Sequence, residues 1–154
     1  MTSPLQLCVR RTPASRAPAV ATQVRVRMPS DIACIEQTVS LVTRHCLAGT
    51  PATDRLRFRL QVAVAEALAN AVMRGNQEMP GKSVLVEAEL FPDRICVQVT
   101  DEGPGFDPTQ VPEPDRPEQL TDPCGRGLFL IRKLVDEVHF NEQGNSICMT
   151  LRRR

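Results

Sequence analysis

The sequence predicts an α/β two-layer sandwich, with helices on one face of a mixed, largely antiparallel sheet. Two kinds of hydrophobic periodicity and their order along the chain support this fold class. Apolar residues alternate with polar ones, as in half-buried strands, at residues 20–28, 84–90, 95–99 and 147–151. Apolar residues recur at steps of three and four, as in amphipathic helices, at residues 32–47, 54–74 and 128–138. The resulting order, β-α-α-β-β-α-β, is typical of helices that cover one side of a sheet.

Capping and breaking residues mark the ends of the first two helices. Ser30 or Asp31 can act as the N-cap of the first helix, directly after the strand that Pro29 ends. The Gly-Thr-Pro tripeptide at residues 49–51 separates the two helices. Gly75 stands where the second helix is expected to end.

The second half of the chain begins with a predicted β-hairpin. The Phe-Pro-Asp-Arg turn at residues 91–94 joins its two strands. Residues 101–124 are rich in proline and acidic residues without apolar periodicity, which predicts a loop. A turn at Gly144 and Asn145 precedes the last strand.

Composition limits the possible functions of the chain. Its 154 residues fit one domain, which we predict over residues 21–152, after a disordered lead-in over residues 1–20 that is rich in Pro, Ala and Ser. A formal net charge of +1 gives no electrostatic footprint for nucleic acid. There is no run of about 18 apolar residues, so the sequence predicts no membrane span.

The six cysteines indicate a reducing compartment. They are spread along the chain without a CxxC motif or a Cys/His cluster, which argues against zinc and favours reduced, mostly buried thiols. Arg10 and Arg11 resemble part of a twin-arginine export signal, but no apolar stretch follows them. We therefore expect a cytoplasmic protein.

Glu66 and Asn70 form the first of three candidate motifs. Four residues apart on the second helix, they project from the same face one turn apart. An amide oxygen can ligate a divalent cation together with phosphates, and a neighbouring carboxylate can take a proton from an attacking hydroxyl. The alternative is an ordinary exposed pair at the margin of the apolar stripe.

The second motif follows the end of a predicted strand. Asp101 is followed by Gly103 and Gly105, which allow a sharp turn and a close approach by a ligand. A carboxylate at a strand end is a natural acceptor for an exocyclic amine such as that of adenine. Strings of this kind also occur in plain surface turns, so the motif has little weight alone.

The third motif is a glycine turn at the start of the last predicted helix. Gly125 and Gly127 precede the helix that begins near Leu128, where free backbone N–H groups would face phosphate. Arg126, between the glycines, can add a charge-assisted contact. A simple hinge is the alternative. The three motifs in series predict a Mg-nucleotide site, with residues 104–124 as a loop that closes over it.

At these residues the chain resembles the GHKL-type ATP-binding (Bergerat) fold of gyrase, heat-shock chaperone ATPases and sensor histidine kinases. Within that superfamily it is most similar to the bacterial anti-sigma-factor serine/threonine kinases. The resemblance covers nearly the whole chain from about residue 22. It is most specific at residues 125–138, where the sequence reads Gly-Arg-Gly-Leu-Phe-Leu-Ile and then Leu-Val-Asp-Glu-Val.

The resemblance implies roles for individual residues. Asn70 would ligate Mg²⁺, Glu66 would be the general base, and Asp101 would bind the adenine of ATP. The four glycines named above, together with Arg126 and Leu128, would line the nucleotide pocket. The partners of the protein would be a sigma factor and an anti-sigma-factor antagonist protein that it phosphorylates, with a homodimer as a further possibility.

Two positions depart from the family pattern, and two other functions stay open. Arg74 stands where these kinases often carry His, and Arg126 replaces a residue that is often apolar. The main alternative is a nucleotide-gated protein-binding switch without kinase turnover. A sensor histidine kinase fragment is less favoured, because His45 lacks the acidic neighbour expected of a phosphoacceptor.

Overall fold

A six-stranded antiparallel sheet with three helices on one face makes up the described part of the chain. The structure is a computed structural model, and it describes residues 5–11, 22–48, 51–105, 107 and 123–153. The predicted α/β fold class is confirmed. All pairings between the described strands are antiparallel, so they include no parallel pair of the kind a mixed sheet contains.

Six strands and three α-helices are defined as follows. The strands are β1 (Gln6–Arg11), β2 (Thr22–Pro29), β3 (Ser83–Leu90), β4 (Arg94–Thr100), β5 (Glu137–Phe140) and β6 (Ser146–Arg152). The helices are α1 (Ile35–Cys46), α2 (Asp54–Asn70) and α3 (Pro123–Leu134). A 3-10 turn, Ile32–Cys34, precedes α1, and a π-helical turn, Ala71–Gly75, continues α2.

The sheet has the strand order β1-β2-β3-β4-β6-β5. Its register aligns apolar side chains in rows that run across the strands and face the helices. One row crosses all six strands through Leu7, Val26, Val86, Val99, Ile147 and Phe140. Because side chains alternate between the two faces of a strand, this register buries one face and leaves the other polar.

The predicted starts of the first two helices are confirmed, and their caps can now be assigned. The side chain of Asp31, rather than Ser30, accepts a hydrogen bond from the N–H of Ala33. Thr53 caps α2 by accepting from the N–H of Leu56. Such caps satisfy backbone donors that have no partner within the helix.

The first strand corrects the prediction for the N-terminus. Residues 6–11 were expected to belong to a disordered lead-in, but they form β1 and pair with β2 along its whole length. Leu7 and Val9 lie opposite the buried Val26 and Val24. Pairing with a neighbouring strand, rather than the short alternation of β1 itself, explains its formation. Residues 12–21 lie outside the described residues.

The last helix and the strand after it also differ from the prediction. A helix was expected over residues 128–138, but α3 begins at Pro123 and ends at Leu134, and residues 137–140 form β5. Val135 and Val138 continue the helical spacing, so the pattern alone does not locate the end. Asp136 N–H instead donates to Thr150 C=O on β6, which turns the chain into the sheet.

The side chains of five of the six cysteines are described, and all five are free thiols. Cys34 and Cys46 are buried, Cys96 and Cys148 are half-buried, and Cys8 is exposed. The expectation of reduced thiols holds for these five, and burial is less complete than expected. Among the described helices, none is long and apolar enough to cross a bilayer.

A buried ion pair joins α2 to the end of α3 and to β6. The guanidinium of Arg59 donates to Oδ2 of Asp136 at 2.9 Å and, through Nε, to the carbonyl of Leu134 at 2.6 Å. The same Asp136 oxygen accepts from the N–H of Arg152 at 2.7 Å. Both charged side chains are nearly buried, at 9% and 13% exposure, so removal of one would deprive the other of a close opposite charge in a largely desolvated place.

We expect Arg59→Ala to lower the free energy of unfolding by about 3–5 kcal/mol, the usual cost of removing one partner from a buried pair. Urea unfolding followed by circular dichroism measures this. The matched control is Arg25→Ala, whose pair with Glu87 is exposed and 3.8 Å long. It should cost less than about 1 kcal/mol. Equal losses in the two variants would contradict a special role for the buried pair.

Candidate functional site

The first and third motifs meet where α2 and α3 pack together. Glu66 and Asn70 lie half-buried on α2, and Gly127 of α3 packs directly on them. A Cβ atom at Gly127 would lie 2.8 Å from Oε2 of Glu66 and 3.4 Å from Nδ2 of Asn70. The absence of a side chain therefore lets α3 approach the carboxylate and the amide closely.

The glycines of the third motif lie inside α3 rather than before it. The prediction placed Gly125 and Gly127 in a turn leading to a helix that begins near Leu128, and this is wrong, because α3 already begins at Pro123. Leu128 is buried in the core, Arg126 is exposed, and Gly125 is half-exposed. The function of Gly127 in this structure is to allow close helix packing.

The second motif follows β4 directly, as predicted. Oδ1 of Asp101 accepts a hydrogen bond of 2.7 Å from the N–H of Gly103, which closes a tight turn. A Cβ at Gly75 would overlap the Asp101 carboxylate, and one at Gly103 would overlap the carbonyl oxygen of Gly75. The carboxylate therefore lies against the end of the helix that carries Glu66 and Asn70.

Partial burial raises the pKa of Asp101 above its usual value. Desolvation is the largest cause, and the hydrogen bond from Gly103 and the charge of Lys82 oppose it. A raised pKa in the folded state means that ionised Asp101 costs stability. The protonated Asp101 carboxyl group contributes its full stabilisation at pH values below its pKa in the unfolded chain. That stabilisation is lost as the pH rises through the pKa of Asp101 in the folded protein. Such a carboxylate is typical of a functional site.

The turn between β5 and β6 supports the Asp101 loop from the other side. Asp101 N–H donates to the carbonyl of Asn145 at 2.9 Å, and Nδ2 of Asn145 donates to the carbonyl of Asp101 at 3.2 Å. Gly105, with φ +79°, packs so closely on Gln143 that a Cβ would overlap its carbonyl oxygen. Gly105 therefore contacts this turn, away from Gly127.

Sequence reasoning missed two residues of this site, Asn76 and Asn145. Asn76 is fully buried, and its Oδ1 accepts from the N–H of Glu102 at 2.8 Å. Each asparagine follows a glycine in the sequence. Asn145 was predicted only as part of a turn, and no role was predicted for Asn76. A buried position for Asn76 was not visible because the π-helical turn, Ala71–Gly75, shifts the direction of the chain before it.

The helix that carries Glu66 and Asn70 thus contacts the Asp101 carboxylate at its end, through Gly75. Asn70 and Gly75 are five residues apart, which corresponds to roughly 7 Å along a helix axis. Glu66 and Gly75 are nine residues apart, or roughly 13 Å. Glu66 and Asn70, which form the Glu66 group, therefore lie roughly one and a half to two and a half helical turns from Gly75, where Asp101 packs.

The Glu66 group offers oxygen ligands of the kind that Mg²⁺ prefers. Both the carboxylate of Glu66 and the amide of Asn70 lie beside Gly127. Mg²⁺ usually takes one or two protein oxygens and completes its shell with phosphates and water. Among the described residues, no group of three or more His, Cys, Asp or Glu side chains is placed to hold a metal ion. Most of the predicted loop that closes over the site, residues 104–124, lies outside the described residues.

A protein-family model covers the whole of this site. The model of the histidine kinase-like ATPase domain matches residues 28–151, which include all the site residues named above.

Similar proteins carry the name of a protein kinase. The serine-protein kinase RsbW of Bacillus subtilis (strain 168) is 37% identical over 98 residues, which cover 59% of this chain and 61% of that protein. The RsbW of Oceanobacillus iheyensis is 31% identical over 90 residues, with 54% and 57% covered. That of Staphylococcus aureus (strain bovine RF122 / ET3-1) is 33% identical over 98 residues, with 58% and 62% covered. The chain therefore spans about 60% of the length of these curated relatives.

We expect Gly103→Ala to lower the free energy of unfolding by about 1–3 kcal/mol, because the new methyl group overlaps a backbone oxygen that cannot rotate away. Gly81→Ala is the control, since a Cβ there meets open space and adds strain from its φ of +86° alone. Thermal unfolding and the exchange of the Glu102 amide report on the two variants. A smaller loss for Gly103→Ala than for Gly81→Ala would contradict the close packing.

Proposed function

This chain belongs to the histidine kinase-like ATPase domain family, and from that premise we propose that it is an ATP-dependent serine/threonine protein kinase. In this proposal it acts as an anti-sigma regulatory factor, which phosphorylates a small antagonist protein and binds a sigma factor. The packing of Gly127 on Glu66 and Asn70 carries the proposal, because it joins a carboxylate and an amide in one place.

Each group of residues has a distinct task in the proposed reaction. Asp101 accepts a hydrogen bond from the exocyclic amine of adenine, which its position in a half-buried turn favours. Asn70 would hold Mg²⁺ through its amide oxygen. When bound, Mg²⁺ neutralises the charge that develops on the transferred phosphoryl group.

Glu66 is the proposed general base. It takes the proton from a Ser or Thr hydroxyl of the antagonist while the hydroxyl oxygen forms a bond to the γ-phosphorus. The bond from that phosphorus to the β,γ-bridging oxygen breaks, and ADP leaves with the electron pair. Phosphoryl transfer of this type depends mainly on positioning and electrostatics. Glu66 lies on α2 one turn from Asn70 and packs against Gly127, and this fixed position suits that task.

The partners and the compartment belong to the same proposal. The relatives are named serine-protein kinases, which supports a serine kinase. The resemblance to anti-sigma-factor kinases supports the sigma factor and the antagonist as partners. The balanced charge of the chain, formally +1, favours protein partners over nucleic acid. Five free cysteines favour the cytoplasm. A homodimer is compatible with this assignment.

We expect Asp101→Asn to weaken ATP binding by roughly 10- to 100-fold, because a charged acceptor at the adenine edge is worth ~1.5–3 kcal/mol. Titration with a labelled nucleotide measures this. The variant should remain at least as stable as wild type at neutral pH, because the raised pKa of Asp101 means that its ionisation costs stability.

The stability advantage of Asp101→Asn over wild type should grow with pH. The growth begins below 3.8, the ordinary pKa of an Asp carboxyl group, and continues through the raised pKa of Asp101 in the folded protein. Asp93→Asn is the control, since that carboxylate is 74% exposed in the β3–β4 turn. Unchanged ATP affinity in a folded Asp101→Asn protein would remove the role assigned to Asp101.

We expect Glu66→Gln to bind ATP and the antagonist normally while phosphoryl transfer falls by ~10²–10⁴-fold, the usual contribution of a general base. Transfer from labelled ATP to a purified antagonist protein measures this. Glu36→Gln, at an exposed position in the first turn of α1, is the matched control. Transfer at the wild-type rate by Glu66→Gln would exclude Glu66 as the base. If the wild type binds ATP and the antagonist without transfer, the nucleotide-gated switch is the better assignment.

A further inference from the structure

Asn76 lies at the point where the end of α2, the start of β3 and the Asp101 loop meet. Its side chain is fully buried and uses both of its polar atoms. Nδ2 donates to the carbonyl of Ser83 at 2.9 Å, and Oδ1 accepts from the N–H of Glu102 at 2.8 Å. Its backbone N–H donates to the carbonyl of Ala71 at 2.8 Å. One residue therefore ties three segments together, two of them through its side chain.

We propose that Asn76, with Asn145 opposite it, is a positioning residue that orients Asp101 toward the base of the nucleotide and so sets base selectivity. The inference rests on the proposed function, in which Asp101 accepts from the amine of adenine. It assigns the cause of base selectivity to the residues that hold Asp101 in position for this contact.

The backbone around Asp101 is held from two sides. On one side, Asn76 fixes the amide of Glu102 through its Oδ1. On the other, the N–H of Asp101 donates to the backbone carbonyl of Asn145, and the Asp101 carbonyl accepts from Nδ2 of Asn145. The Gly103 N–H then fixes Oδ1 of the carboxylate. With these bonds in place, the direction of the Asp101 carboxylate is determined by its neighbours.

The chemistry of Asn suits this position. The site needs one donor and one acceptor on a short, uncharged side chain, and an amide supplies both. The chain reverses directly after it, with Gln77 and Glu78 both in the left-handed region at φ 52° and 54°. Left-handed residues other than glycine cost energy, so the surrounding contacts must hold this turn in place. The hydrogen bonds of Asn76 are such contacts.

The test compares nucleotide selectivity across four purified variants. The dissociation constants for ATP and for inosine triphosphate are measured with Mg²⁺, well below the unfolding temperature. Inosine triphosphate carries a carbonyl oxygen in place of the exocyclic amine, so the ratio of the two constants reports on the Asp101 contact. The variants are Asn76→Ala, Asn76→Asp, Asn145→Ala and Thr38→Val.

We expect Asn76→Ala and Asn145→Ala to reduce the preference for ATP by roughly tenfold, the scale of one buried hydrogen bond. Asn76→Asp keeps the acceptor for the Glu102 N–H, so it should keep most of the preference although it loses the donor to Ser83. Thr38→Val removes a buried hydrogen bond to the carbonyl of Cys34. It should lower stability with no change in the preference.

A preference that stays at the wild-type value in Asn145→Ala and in the Asn76 variants that fold would overturn the inference while the proposed function stands. Asn145 is partly exposed in a turn, so we expect Asn145→Ala to fold. Its nucleotide preference can therefore be measured even if Asn76→Ala does not fold. Equal loss of preference in Thr38→Val would show that general destabilisation is the cause, and would also overturn it. A wild-type protein that does not bind ATP would overturn the proposed function and this inference together.

Discussion

The close approach of α2 and α3 is the constraint on which the rest of the structure depends. Gly127 contacts Glu66 and Asn70 at one point, and Arg59 donates to the Leu134 carbonyl at another. From Arg59 to Glu66 on α2 is seven residues, and from Gly127 to Leu134 on α3 is also seven. The two contacts are thus about two turns, or roughly 10 Å, apart on an antiparallel pair. The first requires the absence of a side chain, and the second requires a long one, so together they fix both the distance and the register of the helices.

In the Asp101 loop, hydrogen bonds between polar groups act together with close glycine contacts to set the geometry. Burying polar groups costs free energy unless each finds a partner. Asn76 and Asn145 supply those partners for the backbone on both sides of Asp101. The carboxylate itself stays partly desolvated, and its raised pKa shows that the fold holds it at some cost in stability. Such a cost is expected where a group is kept for a ligand rather than for the fold.

Sequence patterns predicted the elements whose own residues determine them. The β3–β4 hairpin, α1, α2 and β6 carry strong periodicity, and all were found close to the expected bounds. The two edge strands, β1 and β5, were missed because they are short and their formation depends on pairing with β2 and β6. The three motifs were predicted to form one site, but the contacts that join them were not predicted. Their meeting through Gly75 and Gly127 depends on tertiary packing, which no spacing along the chain reveals.

The positions that depart from the family pattern can be separated from those that the geometry constrains. Arg74 and Arg126, the two departures, both have exposed side chains. Gly75 and Gly127, beside them in sequence, admit no Cβ without overlap or a contact under 3 Å with a site carboxylate. Neighbouring residues in each segment therefore differ in what they can accommodate: the arginine side chain is exposed, whereas the glycine has no room for a side chain. A change at an arginine alters the surface that meets solvent or a partner, whereas a change at a glycine displaces Asp101 or Glu66 itself. In these two segments, the side of the helix that faces the carboxylates therefore has room only for glycine, whereas the exposed side carries an arginine.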